Sequence, residues 1–136
     1  MIDRNMRGHL SHIEIYVSDL ERSSSFWGWF LGELGYVSFQ SWDKGQSWKL
    51  GMTYFVIVQA EDDFKTSGYH RKNVGLNHVA FHAESREDVD QMAGKLKAKN
   101  IPFLYPEKHP EVAGQTYAVY FEDPDRIKVE FVATPK

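Results

Sequence analysis

The feature that most limits how this chain folds is that one pattern of residues recurs in its second half. "HIEIYVSDLERS" from His12 and "HVAFHAESREDV" from His78 align without a gap at an offset of 66 residues, close to half of the 136. Self-similarity at so long a period means two copies of one supersecondary unit, not a solenoid. In the first copy "HIEIYV" alternates as a strand does, and "SDLERSSSFWGWFLGELGY" then takes up a helical habit, with Ser18 and Glu21 spaced as a capping box. "YVSFQSW" and "SWKLG" flank Asp43-Lys44-Gly45-Gln46, a hairpin signal in which glycine supplies a positive φ, and "YFVIVQ" follows at Tyr54 to Gln59. The second copy repeats this order. "HVAFHA" is a strand, and Ser85 caps a helix in which Val89, Met92, Ala93 and Leu96 fall at i, i+3, i+4 and i+7. Next come "IPFLY", a polar loop through Lys108 to Gln115, then "TYAVYF", the turn "EDPDR" and "IKVEFVA". The expected fold is α+β: two βαβββ modules, about 8–60 and 76–134, joined by a polar linker at 61–75. A lone module leaves a sheet face uncovered, so the modules pair with each other or across a dimer.

Composition excludes several kinds of chemistry. The chain has no cysteine, which removes disulfides, thiolate nucleophiles and thiolate metal sites and leaves histidine, carboxylate and tyrosine. Its 16 basic and 19 acidic residues are mixed along the sequence, so no basic stripe points to nucleic acid or an anionic membrane. No apolar run approaches the length of a membrane helix and the amino terminus lacks an apolar leader, so a cytoplasmic location is expected. A small molecule is the expected partner.

Strand alternation selects the candidate site. His12, Glu14 and Tyr16 share one face of the first strand, and Ile13, Ile15 and Val17 share the other, which must lie under the helix. In the second copy His78, Ala80 and His82 share a face in the same phase, and on the last strand Lys128 and Glu130 share one. The polar faces are expected to form one concave surface with His12, His78 and Glu130 turned inward. Two imidazoles and a carboxylate are what a divalent first-row metal takes when it keeps positions open. His78 and His82 do not share an ion, because four residues of strand separate them by about 13 Å. The repeat selects His78, and His82 stands near the cleft edge, either touching substrate or bounding the cleft. Glu14 reads as a general base or as a polar cleft residue. Tyr16 and Tyr120 face the cleft as candidate substrate contacts. Trp48 and Tyr54, with Phe39 and Trp42, form either an aromatic wall for an apolar substrate or ordinary hairpin packing.

Taken together, "HIEIYVSDLERSSSFW", "LNHVAFHA" and "FEDPDRIKVEFV" resemble the vicinal oxygen chelate superfamily, which includes glyoxalase I, bleomycin-resistance proteins, extradiol dioxygenases and fosfomycin-resistance thiol transferases. The resemblance covers nearly the whole chain. It implies a single domain over 1–136, with paired βαβββ modules forming a curled mixed sheet around a metal-binding cleft, in a homodimer. It also implies one divalent ion (zinc, nickel, manganese or iron) on His12, His78 and Glu130, and a tyrosine facing substrate at Tyr120; beside it, the reading of the residues takes Glu14 with Tyr120 as catalytic candidates and Tyr16, Trp48, Tyr54 and His82 as substrate-binding candidates. The implied activity is that of a lyase, isomerase or dioxygenase acting on a substrate that chelates the metal through adjacent oxygens. The alternative is a protein of the bleomycin-resistance kind that sequesters an aromatic compound without turnover. Glyoxalase I-like enzymes take a fourth ligand, a glutamate, from the strand matched by "YFVIVQ", where Gln59 is the residue able to coordinate. Glu14 stands where a phosphonate would be repelled, which counts against the thiol-transferase branch, and Arg126 replaces the glycine usual after "DPD".

Overall fold

The computed structural model describes residues 4–105, 111–113 and 116–134. The chain divides into two compact units, 1–68 and 69–136. After a short 3-10 turn at Arg4–Met6, unit 1 runs β1 (His12–Val17), α1 (Leu20–Glu33), β2 (Val37–Trp42), β3 (Gly45–Leu50), β4 (Thr53–Gln59) and a single helical turn, α2 (Asp62–Lys65). Its sheet has the order β1-β4-β3-β2, with β1 parallel to β4 and the other pairs antiparallel. Unit 2 runs β5 (Val79–His82), α3 (Arg86–Ala98), β6 (Phe103–Leu104), β7 (Glu111–Ala113), β8 (Thr116–Glu122) and β9 (Lys128–Ala133). Its sheet has the order β5-β9-β8-β6, with β7 also paired to β8. The duplication therefore extends to strand pairing: β5 corresponds to β1, β9 to β4 and β8 to β3. Part of the polar loop expected at Lys108 to Gln115 lies outside the described residues.

In each unit a helix covers one sheet face. Along α1 the buried residues Ser23, Phe26, Trp27, Phe30 and Leu31 recur at helical spacing, and Trp27 stacks on Phe55 of β4 with centroids 4.4 Å apart. In unit 2, Val89, Met92, Ala93 and Leu96 are buried on α3 as the spacing predicts, and α3 packs on β8 and β9. Both helices end alike. Gly35 takes φ 98° while the Tyr36 amide returns to Leu31 O, and Asn100 takes φ 59° while the Ile101 amide returns to Leu96 O. Both are left-handed stops, held by glycine in one copy and by asparagine in the other.

Two local expectations change. The N-cap of α1 is Asp19, whose Oδ1 accepts from the Arg22 amide at 3.0 Å, while Ser18 Oγ accepts from the Arg22 guanidinium instead. Asp19 is the residue with extended backbone immediately before the first helical turn, so its carboxylate meets the free amides. Ser85 does cap α3, accepting from Asp88 N at 3.1 Å. Gly45 is required for a reason other than a positive φ. A Cβ there would lie 2.4 Å from the Trp42 ring and 2.8 Å from Ile57 O, so Gly45 leaves room for its cross-strand tryptophan.

Candidate functional site

In unit 1 the face opposite α1 carries His12, Glu14 and Tyr16, all exposed, while Val17 on the other face is buried. The register sets His12 beside Tyr54, and their rings stack with centroids 4.4 Å apart and planes 10° from parallel. Tyr54 in turn meets the edge of Phe39, over which Lys49 Nζ sits at 4.6 Å. Ser11 Oγ lies 3.1 Å from His12 Nδ1.

Unit 2 brings His78, Glu130 and Tyr120 together. Glu130 is flanked in the ladder by Ala80 on β5 and Tyr120 on β8, and the small Ala80 side chain leaves the carboxylate room. His78, just before β5, puts its Nε2 3.0 Å from Glu130 Oε1 and its Nδ1 2.7 Å from Asn77 Oδ1. The His78 ring meets Tyr120 edge to face at 6.3 Å. Lys128 lies over Tyr120 at 4.8 Å and Tyr105 at 4.9 Å, and donates to Tyr105 Oη at 3.0 Å.

His78 is held from both sides of its ring. Each ring nitrogen of His78 thus lies beside a side-chain oxygen, and an imidazole and a carboxylate this close are donor types that a divalent first-row metal takes. His12 is placed in the same way, its Nδ1 beside the side chain of the preceding residue. Among the described residues no group of three His, Asp or Glu side chains stands ready to hold a metal. Within unit 2, His78 and Glu130 are the pair of such side chains in contact.

Other expected residues lie elsewhere. Trp48, expected in the substrate wall, pairs with Phe55, is 4% exposed and lies against Gly28 of α1. It belongs to the helix-side core, and the aromatic group on the other face is Tyr54 and Phe39. Gln59, considered as a fourth ligand, pairs with Val17 and so faces α1. Its Oε1 accepts from Leu20 N at 2.8 Å and its Nε2 donates to Ser18 O at 2.9 Å, which closes the β1–α1 junction. The position in unit 1 that corresponds to Glu130 is Val56, whose ladder neighbour on β1 is Glu14. The carboxylate of unit 1 thus stands one strand over from its counterpart in unit 2. His82 shares a row with Val132, two rows beyond Ala80–Glu130. Strand alternation does not reach Ser11, Asn77 or Tyr105, although Ser11 and Asn77 carry a signal, since each directly precedes a repeated histidine.

Comparison with known proteins agrees with this architecture. A family model, Glyoxalase/Bleomycin resistance protein/Dioxygenase superfamily, matches residues 9–131. The uncharacterized protein YqjT of Bacillus subtilis is 59% identical over 125 residues, 91% of this chain and 98% of that one. The fosfomycin resistance protein FosX of Listeria monocytogenes is 28% identical over 125 residues, 91% of this chain and 88% of its own. A Bacillus halodurans crystal structure, provisionally called a glyoxalase, superimposes with a TM-score of 0.92 at 54% identity, covering 96% of this chain and 99% of that one.

Proposed function

The chain belongs to the glyoxalase/bleomycin resistance protein/dioxygenase superfamily, and on that premise we propose that it is a divalent-metal-dependent enzyme acting on a small substrate with two adjacent oxygens. The observation that carries this reading is the matched presentation of the two repeated histidines. Each has its Nδ1 beside the preceding side chain, and His78 Nε2 is aimed at a carboxylate. His12, His78 and Glu130 would hold the metal in a homodimer of the cytoplasm. When bound, the ion supplies a Lewis acid for the adjacent oxygens of the substrate. The protein's own groups do the rest. Glu14 takes a proton from the substrate as general base, and Tyr120, with Lys128 above its ring, donates to a developing oxyanion. Tyr54, Tyr16 and His82 are the proposed substrate contacts. Whether the reaction is a lyase, isomerase or dioxygenase step depends on the substrate.

A second reading has its own support. His12 stacked on Tyr54, which meets Phe39, forms an aromatic platform that takes a flat compound without any metal. In that case His78 and Glu130 are a hydrogen-bonded pair and the protein sequesters its ligand. Catechol, which is flat and carries vicinal oxygens, separates the two when its binding is measured before and after chelator dialysis. The enzyme reading predicts binding that is lost with the metal and restored by adding it. Binding unchanged by the chelator contradicts it and favours the platform.

A further inference from the structure

Unit 2 contains a second group of polar side chains that the proposed chemistry does not use. Tyr69, His70, Arg71, Lys72 and Arg126 line a pocket of about 170 Å³. Tyr69 is a fixed wall, because its hydroxyl donates to Leu76 O at 2.6 Å. Arg71 Nη1 donates to Glu122 Oε2 at 2.7 Å and to the Arg126 carbonyl at 3.3 Å, and Arg126 Nε lies 3.4 Å from the same carboxylate oxygen. Two guanidiniums are thus gathered by one carboxylate, with Lys72 beside them. Asp123, in the same turn, is buried, and its Oδ1 accepts from the amides of Asp125 and Ile127. The pocket is therefore lined by cations in a chain whose formal charge is −3.

The backbone at Arg126 supports a binding role. Its φ is 68°, in the left-handed region where glycine sits without cost. An arginine persists there at the expense of strain, and such strain gathers where a side chain is needed in one place. Glu122 pairs with Lys128 in the ladder, as Tyr120 does with Glu130, so it faces the same side of the sheet. About 7 Å of strand separates the two rows. We infer that this pocket binds a compact oxyanion, phosphate or carboxylate, carried by the small molecule that meets His78 and Glu130; this last clause rests on the function proposed above. Arginine recognises both oxyanions through paired N–H donors.

Calorimetric titration of metal-stripped protein with inorganic phosphate, and separately with acetate, tests the pocket itself. Saturable binding of at least one of them is expected, weakened at least about tenfold in Arg126→Gly and in Lys72→Gln and by added salt. Arg126→Gly should fold normally, since glycine prefers the observed φ. No saturable binding by wild type, or equal binding by the variants, overturns the inference. Metal titration of the same proteins keeps the two claims apart. Metal binding without anion binding sinks the pocket alone, whereas anion binding without metal binding supports the pocket and sinks the enzyme reading. The link between them is tested by comparing catechol with 3,4-dihydroxybenzoate on metal-loaded protein. The carboxylate should tighten binding in wild type and confer no advantage in Arg126→Gly, and equal binding of both compounds by wild type refutes the link.

Discussion

Ser11 and Asn77 stand directly before His12 and His78, and each places an oxygen beside the Nδ1 atom of its neighbour. Outer partners of this kind fix the tautomer and orientation of a ligand. Asn77→Ala should therefore weaken metal binding about 10- to 100-fold while leaving thermal stability nearly unchanged. Unchanged affinity would mean that Asn77 does not position His78. The histidines were legible in the sequence because they repeat. Their supports were less so, because residues 11 and 77 lie just outside the strands, where alternation assigns no face. Trp48 was misplaced for a different reason. In "GQSWKL" polar and apolar residues do not alternate cleanly, so only the register with β4 reveals that Trp48 follows Phe55 under α1.

At the scale of elements, the order of strands and helices in both copies follows from hydrophobic period and capping, and the structure contains it. Chemical type alone did not decide which of two neighbouring residues does the capping. Asp19→Ala should cost about 1 kcal/mol, and Ser18→Ala clearly less, measured by urea unfolding. The reverse order would restore Ser18 as the cap. Gly45 offers a sharper test of packing. Gly45→Ala forces a Cβ into the Trp42 ring and the Ile57 carbonyl and should destabilise by about 1–3 kcal/mol. In a Trp42→Ala background part of this cost should vanish, while the clash with the backbone carbonyl remains. An equal cost in both backgrounds would show that the tryptophan plays no part. Gln59 also belongs to this scale. Read alone it is a possible ligand, but its place one residue out of phase with Tyr54, Val56 and Val58 turns it toward α1.

At the scale of the whole molecule, duplication made the fold class and family readable, since two copies of one pattern constrain each other. It also exposes where the copies diverge, as in Glu14 beside Val56 against Ala80 beside Glu130. Two tyrosines make stability sensitive to alkaline pH. The Tyr117 phenol is raised above its usual value of 10 chiefly by its hydrogen bond to Asp90, with burial adding, and Tyr36 in unit 1 is raised by burial. A phenol whose pKa is higher when folded stabilises the fold fully below the unfolded value. That stability is lost as pH rises through the folded value. Tyr117→Phe should therefore be less stable than wild type at neutral pH, with the gap closing above about pH 10. A gap independent of pH would contradict the assignment.

The proposed function assigns His12, His78 and Glu130 to one metal ion per chain. Direct titration of untagged protein with a divalent metal, with bound metal counted after gel filtration, tests it. The account predicts one ion per chain in wild type and in His82→Ala, and none retained in His12→Ala, His78→Ala or Glu130→Gln. Full retention in His12→Ala, or loss in His82→Ala, would contradict it.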